Sequence, residues 1–215
     1  MSAGCHHHHD DHHHHGHGSG APSARLRRVL WVALAVNALM FALEIGAGLR
    51  AGSVALLADA IDFFGDAANY ALSLAVLSMG LLWRARAAAV KAASMLAFGV
   101  LVLGRAAWSA ASGGVPEPVT MGAVGALALA ANLGVAALLY AWRDGDANMR
   151  SVWLCTRNDA IGNVAVLLAA LGVFGTGTAW PDLAVATAMA ALAVSAGVSV
   201  LRQARREMIS AGTAC

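Results

Sequence analysis

The sequence predicts an all-α protein, a polytopic membrane protein of six helices with both termini on the cytoplasmic side. Three observations lead there. Of the 215 residues, 59% are hydrophobic and only 12% charged, whereas ordinary soluble domains carry about 25% charged residues; the mean hydropathy is +0.66. Apolar runs of about 20 residues recur along the chain, the length that crosses a hydrocarbon core of about 30 Å. Basic residues fall on alternate connections, which sets the orientation by the positive-inside rule.

Residues 1–24 stand apart as a histidine-rich cytoplasmic tail. "CHHHHDDHHHHGHG" (Cys5 to Gly18) contains every histidine of the protein: His6, His7, His8, His9, His12, His13, His14, His15 and His17. It is low in complexity, expected to be disordered when free, and lacks the apolar region of a cleaved signal peptide. Imidazole suits Zn²⁺, Co²⁺, Ni²⁺ and Cu²⁺, and Cys5, Asp10 and Asp11 could add ligands. Two readings stay open, an expression tag or a flexible collector of metal. Composition does not choose the ion.

A membrane domain over 25–207 follows, with spans expected near 29–49, 54–80, 91–112, 119–142, 152–174 and 182–201. Their connections, "WRAR", "SGGVPEPVT", "WRDGDANMR" and "GTGTAWPD", leave no room for a second globular domain. Arg25, Arg27 and Arg28 precede the first span, Arg84, Arg86 and Lys91 join the second to the third, and Arg143 and Arg150 join the fourth to the fifth. Arg202, Arg205 and Arg206 follow the sixth, while the opposite loops hold only Arg50. The net charge of +2 is therefore a topology signal and gives no case for nucleic acid. A short tail over 208–215 is expected to end the chain. Cys5 and Cys215 fall in the tails and Cys155 in the fifth span, so no disulfide framework is expected.

The second span breaks the apolar pattern. "LLADAIDFFGDAANY" (Leu56 to Tyr70) carries Asp59, Asp62 and Asp66, although an ionised side chain at mid-bilayer costs about 2.5–3.5 kcal/mol on insertion scales. Asp62 and Asp66 are i, i+4 and share one helix face. "CTRNDAIGN" in the fifth span repeats the spacing with Cys155 and Asp159, and Asn163 follows one turn later. At 1.5 Å per residue, Asp62 and Asp159 both lie about eight or nine residues inside their spans, towards mid-membrane. Two such pairs can supply four ligands to one tetrahedral cation, and oxygen and sulfur donors suit Zn²⁺. The cation would also offset several buried carboxylates at once. Cys155 is either the fourth ligand or a small apolar filler. Asp59 is either a helix-start residue near the interface or a ligand.

Further polar residues read as support. Asn37 and Glu44 are i, i+7 on the first span, and Asn132 sits midway along the fourth. Intramembrane Asn commonly links helices by hydrogen bonds. Glu44 and Arg105 both lie in the outer third of their spans and are expected to pair.

On these residues the chain resembles the cation diffusion facilitator family, six-span exporters that exchange divalent metals for protons. "NALMFALEIGAGLRAGSVALLADAIDFFGDAANY" is similar to that family's first and second spans, and "NDAIGNVAVLLAAL" to its fifth. The resemblance implies a metal site at Asp62, Asp66, Cys155 and Asp159, where Cys155 stands in place of the usual His or Asp. It also implies a compact bundle of spans 1, 2, 4 and 5, with spans 3 and 6 paired beside it. About 14 residues follow the sixth span, so the family's C-terminal cytoplasmic domain is expected to be absent.

Three function classes compete. The leading one is a secondary transporter exporting Zn²⁺ or Cd²⁺, with Co²⁺, Fe²⁺ or Mn²⁺ as alternatives, driven by protons; no GxxxxGK[ST] nucleotide motif is present. No resident cofactor is expected beyond the transported ion. Partners would be metal ions, protons and the bilayer of a bacterial inner membrane, with a homodimer through membrane helices. A metal-storing or metal-sensing membrane protein fits the tail equally. An intramembrane aspartyl protease using Asp66 and Asp159 lacks its expected Gly-x-Gly-Asp motif, since the sequence reads Phe-Phe-Gly-Asp.

Overall fold

The structure, a computed structural model, describes residues 24–75, 81–142 and 147–213. The histidine-rich segment, with all nine expected auxiliary ligands, lies outside the described residues. Six long helices follow one another: α1 (Ala24–Ala51), α2 (Val54–Ala75), α3 (Leu81–Ser112), α4 (Pro118–Leu139), α5 (Ala147–Thr176) and α6 (Trp180–Thr213). A single 3₁₀ turn, Tyr140–Trp142, extends α4. There is no strand among the described residues. α6 continues past residue 207, where the sequence suggests a boundary.

Local chemistry sets the helix ends on one side of the bundle. α1 stops at Gly52, whose φ of +68° suits a residue without a Cβ, and the Ser53 amide donates back to the Gly48 carbonyl at 3.0 Å. Ser53 then caps α2, its Oγ accepting from the Leu56 amide at 3.2 Å. Asp182, in the first turn of α6, completes this end. It accepts from the Ser53 hydroxyl at 2.6 Å and from the Val54 and Ala55 amides at 2.8 and 3.0 Å. The amides at a helix start have no partner within the helix, so a buried carboxylate there satisfies them and meets the positive end of the dipole. Glu117 caps α4 in the same way, and its amide donates to the Ala51 carbonyl at 2.9 Å. The α1–α2, α3–α4 and α5–α6 turns are thereby tied together.

Among the described residues, five helices are long and apolar enough to cross a membrane: α1, α3 from Arg86, α4, α5 from Asp159, and α6 to Arg206. α2, of which 22 residues are described, is not among them, since it carries three aspartates. Packing explains how it tolerates them. α1 buries one narrow seam (Leu30, Ala33, Asn37, Met40, Glu44, Gly48, Ala51), as does α4 (Met121, Gly125, Ala128, Asn132, Val135, Leu139). That three- and four-residue spacing leaves Leu39, Leu127 and Leu133 exposed on outer faces suited to lipid. α2 is instead buried continuously from Val54 to Ile61 and packs against α1, α3, α5 and α6.

The closest helix pairs are α3 with α6, α1 with α2, and α4 with α5. α1 with α4 and α2 with α5 close a four-helix bundle, against which α3 and α6 lie as a pair. This is the arrangement implied by the family resemblance. Two apolar clusters flank the bundle's interior. One, with Val54, Ile61, Met121 and Val166, lies towards the tied turns. The other, with Leu30, Ala33, Tyr70, Val135 and Leu139, seals the opposite end.

Candidate metal site in the bundle interior

Between those apolar clusters, the sequence places its polar residues on facing helices. Asp62 of α2 and Asp159 of α5 line a cavity of about 600 Å³ whose wall is otherwise mostly α6, including Met189 and Ala193, with Met95 of α3 and Gly162 of α5. Asp62 is half-buried because it faces this space. Asp159 has Asp66 as its foremost electrostatic neighbour and also feels Asp62 and Asp59. Asp66 lies behind the cavity, 5% exposed, and accepts from the Tyr70 hydroxyl at 3.2 Å. Asp62 and Asp159 thus share the cavity, with Asp66 behind it. Among the described residues, however, no three His, Cys, Asp or Glu side chains close on one point as a ligand set. Cys155 lies one turn before Asp159 in α5, and its side chain falls outside the described ones.

A second acidic group sits one turn nearer the tied turns. Glu44 of α1 and Asp59 of α2 face each other across the helix interface, 0% and 1% exposed. Both Glu44 carboxylate oxygens and Asp59 Oδ2 lack a hydrogen-bond donor. Two expectations change here. Asp59 is not a helix-start residue near the interface, because α2 begins at Val54 under the caps of Ser53 and Asp182. Glu44 does not pair with Arg105, because the α1 seam turns Glu44 inward while Arg105 lies exposed on α3.

Asn37, Asn132 and Asn163 are buried, yet no hydrogen bond described for these three crosses to another helix. Asn37 donates Nδ2 to the Ala33 carbonyl of its own helix at 2.8 Å, leaving Oδ1 without a partner. Asn132 Oδ1 and both side-chain polar atoms of Asn163 are likewise unpartnered. An unsatisfied buried polar atom costs about 1–3 kcal/mol. Such unpartnered polar atoms, acceptors apart from Asn163 Nδ2, make a membrane bundle a place where a cation, a proton or water would be stabilising.

Three further residues bear on the site. Tyr70 is four residues after Asp66, so the same i, i+4 rule that picks out the aspartates would have found it. Lys91 of α3 donates to Asn69 Oδ1 of α2, fixing the helix that carries the aspartates. Asp182 acts at a separation of 129 residues from Ser53, and no local pattern announces it.

Fold and site together define a multi-pass helical membrane protein with buried acidic residues on facing helices and an open cavity that reaches Asp62 and Asp159. The sequence of that membrane domain matches a known one: residues 83–209 fit the model of the cation efflux transmembrane domain, and the chain belongs to that family. Its members are transporters rather than enzymes, which removes the protease reading. The chain is similar to the metal cation efflux system protein CzcD of Cupriavidus metallidurans and the cation efflux system protein CzcD of an Alcaligenes species. Identity to each is 26% over 183 residues, covering 80% of this chain. The chain spans 58% of the length of these curated relatives.

Proposed function

We propose that the protein exports divalent metal cations from the cytoplasm in exchange for protons, with Zn²⁺ the foremost cargo and Cd²⁺ next. The observation that carries this reading is that Asp62 of α2 and Asp159 of α5 line one cavity beside α6, with Asp66 behind it as the foremost electrostatic neighbour of Asp159. Both relatives are cation efflux proteins by name, which supports it. Both termini would face the cytoplasm of a bacterium, because the basic residues of α1, α3 and α6 cluster at the end opposite the tied turns. Self-association through the membrane helices belongs to the same proposal and is read by cross-linking in the bilayer.

Carboxylates and a thiol bind metal only when deprotonated, so protons and metal compete for the same oxygens and sulfur. A site that opens to one side at a time turns that competition into antiport. Cys155 would supply the fourth ligand, and its softness favours Zn²⁺ and Cd²⁺ over Mn²⁺. The histidine tail would collect metal at the cytoplasmic mouth.

The test is metal-dependent proton flux in proteoliposomes across a panel of divalent ions. Coupled flux of Zn²⁺ and Cd²⁺ supports the reading; metal binding with no flux assigns storage or sensing instead. Cys155→Asp should shift preference towards harder ions, and Cys155→His should keep Zn²⁺ transport. An unchanged ion preference in Cys155→Ala would make Cys155 a packing residue. Deleting residues 1–20 should lower transport at scarce metal and leave it intact at saturation.

A further inference from the structure

Arg105 is a charge on the outer face of α3 that the bundle does not explain. It lies within the apolar stretch Arg86–Ser112 of α3, is exposed, and makes no hydrogen bond or ion pair among the described residues. A charged side chain in a spanning helix normally has a partner, and the acidic residue expected to serve, Glu44, points into the bundle instead.

Arg105 borders an apolar groove. α1 and α3 are not a packed pair, and between them Leu57 and Ile61 of α2 form a floor. Phe41 and Phe98 meet edge-on with centroids 6.2 Å apart and close the inner end. From there the groove runs past Ile45 and Leu101 to the guanidinium of Arg105.

Depth matches a lipid headgroup. The 27-residue apolar stretch of α3 is about 40 Å long, so it passes a hydrocarbon core of about 30 Å by about 5 Å at each end. Arg105 is seven residues from Ser112, or about 10 Å, which puts its Cα about 5 Å below the hydrocarbon boundary. The aliphatic stem can carry the guanidinium up to the phosphate layer. Trp108, one turn further on and exposed, is placed where aromatic side chains anchor at that layer. Charge decides between a lipid and a second protein helix. The groove is apolar apart from Arg105, and at that depth the anion its guanidinium calls for is a lipid phosphate.

We infer that the α1–α2–α3 groove binds one anionic phospholipid from the leaflet at the tied turns, its phosphate on Arg105 and an acyl chain over Leu57 and Ile61. Guanidinium pairs with phosphate by charge-assisted, often bidentate hydrogen bonds, and an anionic lipid brings no ammonium group of its own to compete. This inference does not depend on the proposed transport.

Native mass spectrometry of the full chain, released from detergent holding equal phosphatidylglycerol and phosphatidylcholine, tests it. Wild-type protein should retain one lipid per chain, with phosphatidylglycerol favoured about fivefold, the effect of one basic residue at an anionic surface. Arg105→Gln should lose the preference, and Arg105→Lys should keep most of it. Leu101→Trp, which fills the groove, should lower retention of both lipids. No preference in the wild type overturns the inference, as does an unchanged preference in Arg105→Gln. If Arg105→Gln does not fold, full retention in Leu101→Trp overturns it.

Discussion

The α3–α6 interface and the interior of the α1, α2, α4 and α5 bundle lie side by side and are built on opposite rules. α3 meets α6 through small residues: a Cβ at Gly99 would come within 2.7 Å of Val194, and one at Gly197 within 2.9 Å of Leu96 and 3.3 Å of the Ala92 carbonyl. Nothing at these contacts asks for a ligand. Close backbone approach supplies dispersion contacts where lipid offers no hydrophobic drive. The bundle interior, by contrast, holds Asp59, Asp66, Glu44, Asn37, Asn132 and Asn163, each buried, with several oxygens unpartnered. The first interface is complete as it stands and serves as a scaffold. The second leaves buried acids and amides without partners, a setting in which an entering cation, proton or water is stabilising.

The comparison breaks most sharply at the carboxylates. Asp62→Ala, Asp66→Ala and Asp159→Ala should each abolish metal-driven proton flux while the protein still inserts and folds. Wild-type flux in any two of them would show that the interior acids are not the cargo site. The scaffold should respond in the other sense. Gly197→Leu forces α6 away from Leu96 and the Ala92 backbone, an overpacking that costs about 1–3 kcal/mol. A thermal unfolding midpoint equal to wild type in detergent would mean the pair is not tightly closed.

A finer cut separates the site from its support. Tyr70 belongs to both regions, its ring in the apolar seal and its hydroxyl on Asp66. Tyr70→Phe keeps the ring and removes the bond that orients the carboxylate. Metal affinity should fall by about tenfold, as for other residues that orient a ligand from behind, with the unfolding midpoint nearly unchanged. Equal affinity by equilibrium dialysis would confine Tyr70 to packing.

Glu117, fully outside the bundle, gives the smallest effect. Hydrogen bonds from Thr120, side chain and backbone, followed by that from the Val119 amide, hold its carboxyl below the ordinary glutamate value of 4.5. Its contribution is therefore complete above that value and fades as pH falls through the lowered one. Glu117→Ala should lower the midpoint slightly at neutral pH, and the gap to wild type should close in acid. A gap that widens in acid would contradict the cap.

Much of this was legible in the chain itself. Apolar length and helical spacing mark the helices, because a membrane span must satisfy its own backbone and present a nearly uniform apolar surface. The i, i+4 rule sets Asp62 and Asp66 on one face, and the resemblance to metal exporters anticipates the pairing of α3 with α6. Only tertiary structure decided which way each face turns. Glu44 and Arg105 look like partners by depth, yet depth says nothing about rotation around the helix axis. The α1 seam buries the acid while α3 leaves the base towards lipid. Asp182 reaches the start of α2 across 129 positions because three turns converge at one end. Periodicity is a local property and reads from one strand of sequence at a time; partner choice is set by which helices pack, and that is settled only when all six are in place.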